Sequence, residues 1–328
     1  MRYALTRISR FILVFVIVTF LVMLATRIGS KDPIRDLAGG QVGPEVIAKV
    51  QADYPYIEKC SGALNYLPCM ATQYVQWTAD MVTGQMGYSY AQNQSVKDMF
   101  VQRGPSTIWV GVWAIVLGLL IAVPVGVYSA YRRDGIFDRV MSFGSFASIS
   151  TPQLVVAVFL LYAVANRFEF FPNVPDYVAP WTSPIGHFKN FFLPSLTLAV
   201  GLGAVWARLL RADMILTLQS DFINLARAKG VSPNRVLWVH ALRSSILSLV
   251  TSVALQLSVL ISGAVVAEQF FQVGGIGGRL VFAVQQNDIL VIQAITAVVV
   301  AAVVFVNVGV DLLYAVIDPR IRQARALA

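Results

Sequence analysis

Charge is what this sequence has least of. Only 13% of its 328 residues are Asp, Glu, Lys or Arg, while 57% are hydrophobic. An ordinary soluble domain carries about 25% charged residues. A chain this poor in charge cannot cover a water-facing surface, so lipid is its main solvent. Histidine is nearly absent as well. His187 and His240 are the only two, and the topology derived below puts them on opposite sides of the membrane, which excludes a shared metal. Cysteine is limited to Cys60 and Cys69. Their spacing is not that of a Cys-x-x-Cys redox motif, and no histidine lies near enough in sequence for a zinc site. A phosphate-binding loop is missing too: Gly274-Gly-Ile-Gly-Gly278 has no Lys-Ser/Thr after it, and a P-loop requires one. That stretch reads as a turn before a re-entrant or outer helix. Gly201-Leu-Gly203 lies inside an apolar run and is no dinucleotide loop. The apolar runs hold no catalytic pair at membrane depth, neither two Asp nor a Ser with a His. The net charge of +8 does not form the single basic face of a nucleic-acid binder. It is scattered in short clusters between apolar runs.

Those runs are what the sequence does have. A membrane span needs about 20 mostly apolar residues. Six segments qualify: 8–28, 105–128, 139–165, 190–210, 244–267 and 289–316. The first resembles a signal peptide, because Arg2, Arg7 and Arg10 precede its apolar core. However, no small-x-small cleavage site follows, and the core exceeds the roughly 7–15 residues of a signal. It therefore reads as an uncleaved span. The expected fold is an all-α integral membrane protein, with residues 1–28 as an N-terminal region and first span, 29–104 as an outer loop and 105–328 as the core. The positive-inside rule sets the orientation. Arg132, Arg133 and Arg139, then Arg208, Arg211, Arg227, Lys229, Arg235 and Arg243, then Arg320, Arg322 and Arg325 mark alternate loops and the tail. Both termini then lie in the cytoplasm. The outer loop is long enough for small helices and too short for an independent domain. It holds both cysteines, on the side where disulfides persist. A structural disulfide is expected, with two free thiols as the alternative.

Two polar stretches interrupt this pattern. In the third span, Ser148, Ser150, Thr151, Pro152 and Gln153 form a cluster. Proline removes a helical hydrogen bond and kinks the helix, and in lipid the freed carbonyl must find another partner. The cluster faces other protein, either as a packing kink or along a transport path. The other stretch, 213–245, is too polar to span. Asp221 suits a helix start; Phe222, Leu225 and Ala226 share a face; Gly230 suits a left-handed stop; Ser232-Pro233 suits a new start. A helix of two or three turns is marginal alone and needs packing. Ala226 and Ala228 allow close approach, and Arg227 and Lys229 offer charge to an acidic partner protein. A helix lying on anionic lipid is the other reading.

A resemblance separates these readings. Ala226-Arg-Ala-Lys-Gly230 with His240-Ala-Leu-Arg243 resembles the signature of the dipeptide/oligopeptide permease family of ABC importers, which also includes nickel and glutathione permeases. Further features follow in family order. They are Lys31-Asp-Pro-Ile34, Gly84-Gln-Met-Gly-Tyr-Ser-Tyr90, Ser148-Ile-Ser-Thr-Pro152, Leu193-Pro194, Arg208 with Arg211, Glu268-Gln-Phe-Phe271, Gly275-Ile-Gly277, and Asn307, Asp311, Tyr314 and Asp318-Pro-Arg-Ile-Arg322. The sequence departs from the pattern at Asn224 and Leu225, where the broader signature has Glu-Ala, and at Ser248 and Gly274, where proline is usual. The resemblance implies a type I importer permease with six spans. Residues Asp221, Phe222, Leu225, Ala226, Arg227, Ala228, Lys229 and Gly230 become its cytoplasmic coupling helix and cap. It also implies a second homologous permease, two cytoplasmic ATPases that bind ATP and Mg²⁺, and an extracytoplasmic binding protein. This chain then needs no cofactor and is no enzyme. The long outer loop matches the first of the two permease subunits. Peptide, nickel chelate, glutathione and haem all fit as cargo. A secondary transporter would instead show inverted repeats or charges within its spans.

Overall fold

The computed structural model describes residues 2–27, 34–35, 43–57, 60, 65–168, 170–172 and 174–317; side chains are described for Ser9 and, within those segments, from Phe11 to Val310. The Lys31-Asp-Pro stretch and the ending from Asp318 lie outside the described residues, as do the side chains of Asp311 and Tyr314. The elements are helical apart from one small hairpin: α1 (Arg2–Arg27), α2 (Pro44–Asp53), α3 (Tyr66–Val82), β1 (Tyr88–Ser89), β2 (Gln94–Ser95), α4 (Val96–Tyr131), α5 (Ile136–Ser150), α6 (Gln153–Leu160), α7 (Pro184–Leu218), α8 (Asp221–Ala228), α9 (Pro233–Phe271), α10 (Ile276–Gln285) and α11 (Ile289–Ile317). Among the described residues four helices, α4, α7, α9 and α11, are long and apolar enough to cross a membrane. The bent pair α5–α6 makes a fifth, and α1 supplies the shorter apolar stretch Phe11–Arg27.

Several boundaries differ from the sequence reading. Helix α4 begins at Val96, well before the apolar run at 105, and α7 continues through Asp213 to Leu218. Polarity ends a span but not a helix, because backbone hydrogen bonds form equally well in the interface. The third span does break at its proline. Between α5 and α6 the chain turns by 102°, with Thr151 (φ −80°, ψ 122°) and Pro152 (φ −56°, ψ 136°) both extended. The pyrrolidine ring disfavours helical backbone in the residue before it, which puts the turn at Thr151.

The chain forms two compact units, Met1–Pro105 with Gly275–Val308, and Ser106–Gly274 with Gly309–Ala328. In the second unit α7 is the most buried of the long apolar helices. Lipid tails are as apolar as leucine, so close packing rather than water exclusion holds such helices together, and small residues let backbones approach. A Cβ on Gly118 of α4 would sit 2.7 Å from the buried Trp206 ring of α7, and one on Gly203 would sit 3.0 Å from the Gly118 carbonyl. Ser195 Oγ donates to the Val110 carbonyl at 3.0 Å, again joining α7 to α4. His187, at the start of α7, accepts from Trp113 Nε1 at 3.0 Å and lies 2.6 Å from the Val178 carbonyl. With Nε2 accepting, Nδ1 must carry the proton and donate. Its role here is packing.

In the first unit, the Gly-x-x-Gly-x-Ser stretch is a hairpin entrance. Gly84 (φ +89°) and Gly87 (φ +100°) take left-handed backbone, which only glycine adopts without strain. Tyr88 pairs with Ser95, and Ser89 with Gln94. Ser89 Oγ then donates to Asp288 Oδ2 at 2.5 Å, and Asp288 Oδ1 accepts from the Val291 amide in the first turn of α11. Burial pushes the Asp288 carboxyl above the usual carboxylate range, partly offset by the Ser89 and Val291 bonds. A raised folded-state pKa means that the folded form holds its proton more tightly than the unfolded chain. Stability from this group is therefore greatest below the ordinary carboxylate value and falls as pH rises through the folded value. Asp288→Asn retains one acceptor oxygen and removes the titration. Thermal unfolding in detergent should then show a shallower decline above about pH 4; an unaltered pH profile would remove Asp288 from the account. In the same unit Cys60 and Cys69 are joined by a disulfide, with Cα atoms 5.8 Å apart.

Candidate functional site

The polar segment after α7 is built as two helices around a glycine stop. Ser220 precedes α8 in extended conformation, and Asp221 lies in the first turn, where a negative charge favours the helix dipole. At the other end Gly230 has φ +78°. Its amide donates to the Arg227 carbonyl at 2.9 Å, and the Val231 amide reaches back to the Ala226 carbonyl at 3.2 Å. These two bonds are a Schellman stop. Ser232, extended, then precedes Pro233 in the first turn of α9. A π-helical stretch, Val236–Ala241, carries the chain into the rest of that helix.

Eight residues make a marginal helix, so what they pack on decides the site. Ile223 is fully buried in the core of the second unit, with Val236 and Leu237. It is the anchor that the sequence reading missed: Phe222, Ile223 and Leu225 are all apolar, and hydropathy alone does not say which side of a two-turn helix meets the core. Phe222 (49% exposed) and Leu225 (57%) point away from that core. Asp221, Arg227, Ala228, Lys229 and Gly230 are exposed, and Ala226 is half-buried. The helix is thus held by one side and presents an uncovered side carrying two large apolar groups and two cations.

Helix α7, which leads into this segment, is clamped to α5. Arg211 Nε and Nη2 donate to the two Asp138 carboxylate oxygens at 2.5 and 2.7 Å. Asp138 is 3% exposed and also accepts from the Asp134 amide. One turn away the Arg208 guanidinium stacks 4.1 Å over the Phe146 ring. The paired arginines that stand out in the sequence therefore grip one neighbouring helix. Thr217 Oγ1 and Ser245 Oγ, 3.1 Å apart, tie α7 to α9 as well.

At the α5–α6 break lies a cavity of about 380 Å³, lined by the bend, α7 and α9. Its polar lining includes Ser148, Thr151, Gln153, Thr197 and Gln256. The Gln153 amide nitrogen donates to the Gly263 carbonyl at 3.1 Å and fixes the bend against α9.

A broken apolar helix, a cavity with five polar side chains beside it and a held, outward-facing amphipathic helix at a span end lie together in the second unit. The family model for the inner membrane component of binding-protein-dependent transport systems matches residues 122–323. The chain belongs to that family. A probable peptide ABC transporter permease protein of Sinorhizobium fredii is 31% identical over 325 residues, covering 98% of this chain and 99% of that one. The dipeptide transport system permease protein DppB of Lactococcus lactis is 35% identical over 252 residues, 76% of this chain and 80% of that one. The permease is thus a membrane transport component with several apolar helices. The matched region contains the clamp, the cavity and the glycine-stopped segment.

Proposed function

We propose that this chain is one permease subunit of an ATP-driven importer for peptides, forming half of the path across the inner membrane. The near full-length likeness to proteins named as peptide and dipeptide permeases supports the cargo class. The observation that carries the coupling role is α8. Its Ile223 side is fixed to its own chain, while Phe222 and Leu225 remain uncovered beside Arg227 and Lys229. Burying two such side chains in a partner's cleft contributes about 1.5–3 kcal/mol each, enough to dock a helix otherwise too short to hold itself. Asp221 to Gly230 is the coupling helix with its cap. Six spans with both termini in the cytoplasm are supported by the four long helices, the bent pair and the shorter apolar α1, and by the arginine distribution. Residues 29–104 then face outward, and 105–328 form the core.

A second homologous permease, two cytoplasmic ATPases and an extracytoplasmic binding protein complete the assembly. ATP and Mg²⁺ belong to the ATPases, and this chain carries no cofactor. Closure of the ATPases on ATP moves the docked helices, and rigid-body rocking of the spans exposes the path to one side at a time. Gentle detergent purification of the tagged chain from its native membrane, followed by mass spectrometry, tests the assembly. Two P-loop ATPases and a second multi-span permease should come with it. Recovery of the chain alone, where a control importer stays assembled, would count against the reading.

A further inference from the structure

The cavity at the broken span sets a few polar side chains in a mostly apolar lining. Among the described residues, none that lines it is charged. Its polar side chains also spend donors on their own fold. Ser148 Oγ donates to the Gly144 carbonyl, Thr151 Oγ1 to the Ala147 carbonyl and Thr197 Oγ1 to the Leu193 carbonyl. The Gln153 amide nitrogen donates to Gly263, and that of Gln256 to Ser252 Oγ at 3.3 Å. A hydroxyl has one donor and two acceptor positions, and a primary amide has two of each. After these bonds, the three hydroxyls offer acceptors alone and each amide keeps a single free N–H. The described lining is uncharged, and what its polar side chains offer is mainly hydrogen-bond acceptors.

We infer that this cavity is a station on the cargo path that holds the main-chain N–H groups and terminal ammonium of a peptide. This rests on the peptide-importer reading above. A peptide carries an N–H at every non-proline residue whatever its side chains, so an acceptor-rich wall recognises the class rather than the sequence. Ammonium groups gain from bare acceptors, whereas a carboxylate side chain finds only the two free amide N–H groups and is disfavoured by the acceptor lone pairs unless it keeps its water. Side chains find no charged partner here, so discrimination among peptide sequences falls to the binding protein. Gln153 and the hydroxyls lie at the bend of α5–α6, while Gln256 approaches from α9, so cargo in the cavity touches both elements. Gly263 leaves room for this arrangement, since a Cβ there would stand 3.1 Å from Gln153 Oε1.

A charge placed in a neutral cavity reveals whether cargo passes through it. Gln256→Lys and Gln256→Glu, and independently Ser148→Lys and Ser148→Asp on the α5 wall, would be assembled with the partner subunits and binding protein in proteoliposomes. Uptake of cationic, neutral and anionic peptides of equal length would be compared. The lysine variants should depress uptake of the cationic peptide about ten-fold relative to the neutral one, and the acidic variants should do the same to the anionic peptide. ATP hydrolysis stimulated by the binding protein should continue. Wild-type uptake ratios in all four variants would overturn the inference, as would equal loss of all three peptides at both positions, which marks packing alone. If the wild-type assembly imports no neutral peptide at all, the peptide reading itself fails, a result separate from the loss of charge bias.

Discussion

Arg211→Leu is expected to destabilise the protein by about 3 kcal/mol, because it leaves the Asp138 carboxylate buried without its countercharge. Asp138 is 3% exposed, and its other partners, the Asp134 amide and Ser142 Oγ, supply hydrogen bonds but no charge. Breaking one side of a buried pair is much worse than removing both sides. Adding Asp138→Asn should therefore restore most of the loss, since the amide keeps an oxygen for the Asp134 amide. Thermal unfolding of the single and double variants in detergent measures the coupling directly. If the double variant is as unstable as the sum of its singles, the clamp is only two separate contacts. Arg208 over Phe146 leaves α5 and α7 partly joined even then, so the variants should still insert and be measurable.

Ala226→Glu is expected to lower ATP-driven uptake by at least about ten-fold, which needs only about 1.4 kcal/mol of lost docking, while the protein remains in the membrane and ATP hydrolysis persists. Ala226 is half-buried and lies one turn beyond Phe222. A long acidic side chain there would stand between the uncovered Phe222 and Leu225 side and any surface that receives it. The helix itself should survive, because its anchor Ile223 and its stop at Gly230 are untouched. Uptake and hydrolysis in proteoliposomes, with membrane content checked on the same samples, decide the matter. Normal uptake would remove α8 from the coupling role.

Much of this architecture is legible in the chain because it is encoded locally. Sparse charge and long apolar runs determine a membrane protein, since length and polarity act residue by residue against a slab of fixed thickness. Gly230 determines a helix stop for the same reason, because its lone hydrogen frees its own backbone, whereas Pro152 marks only a weak point: Pro194 sits inside an unbroken α7, and the structure decides which proline breaks its helix. The π-helical entry to α9 and the continuation of α7 to Leu218 were not legible, since no residue type marks either. Only the tertiary structure decided what each helix turns toward which neighbour. It pairs Asp138 with Arg211 across 73 positions and Ser89 with Asp288 across 199. It sends Ile223 inward and leaves Phe222 and Leu225 outside. It gathers Ser148, Gln153 and Gln256 around one cavity. The physical reason is rotational. Every side of an apolar helix is acceptable to lipid, so hydropathy leaves its angle about its own axis open, and the close fit of Gly118 against Trp206 and the bonds between polar groups set it.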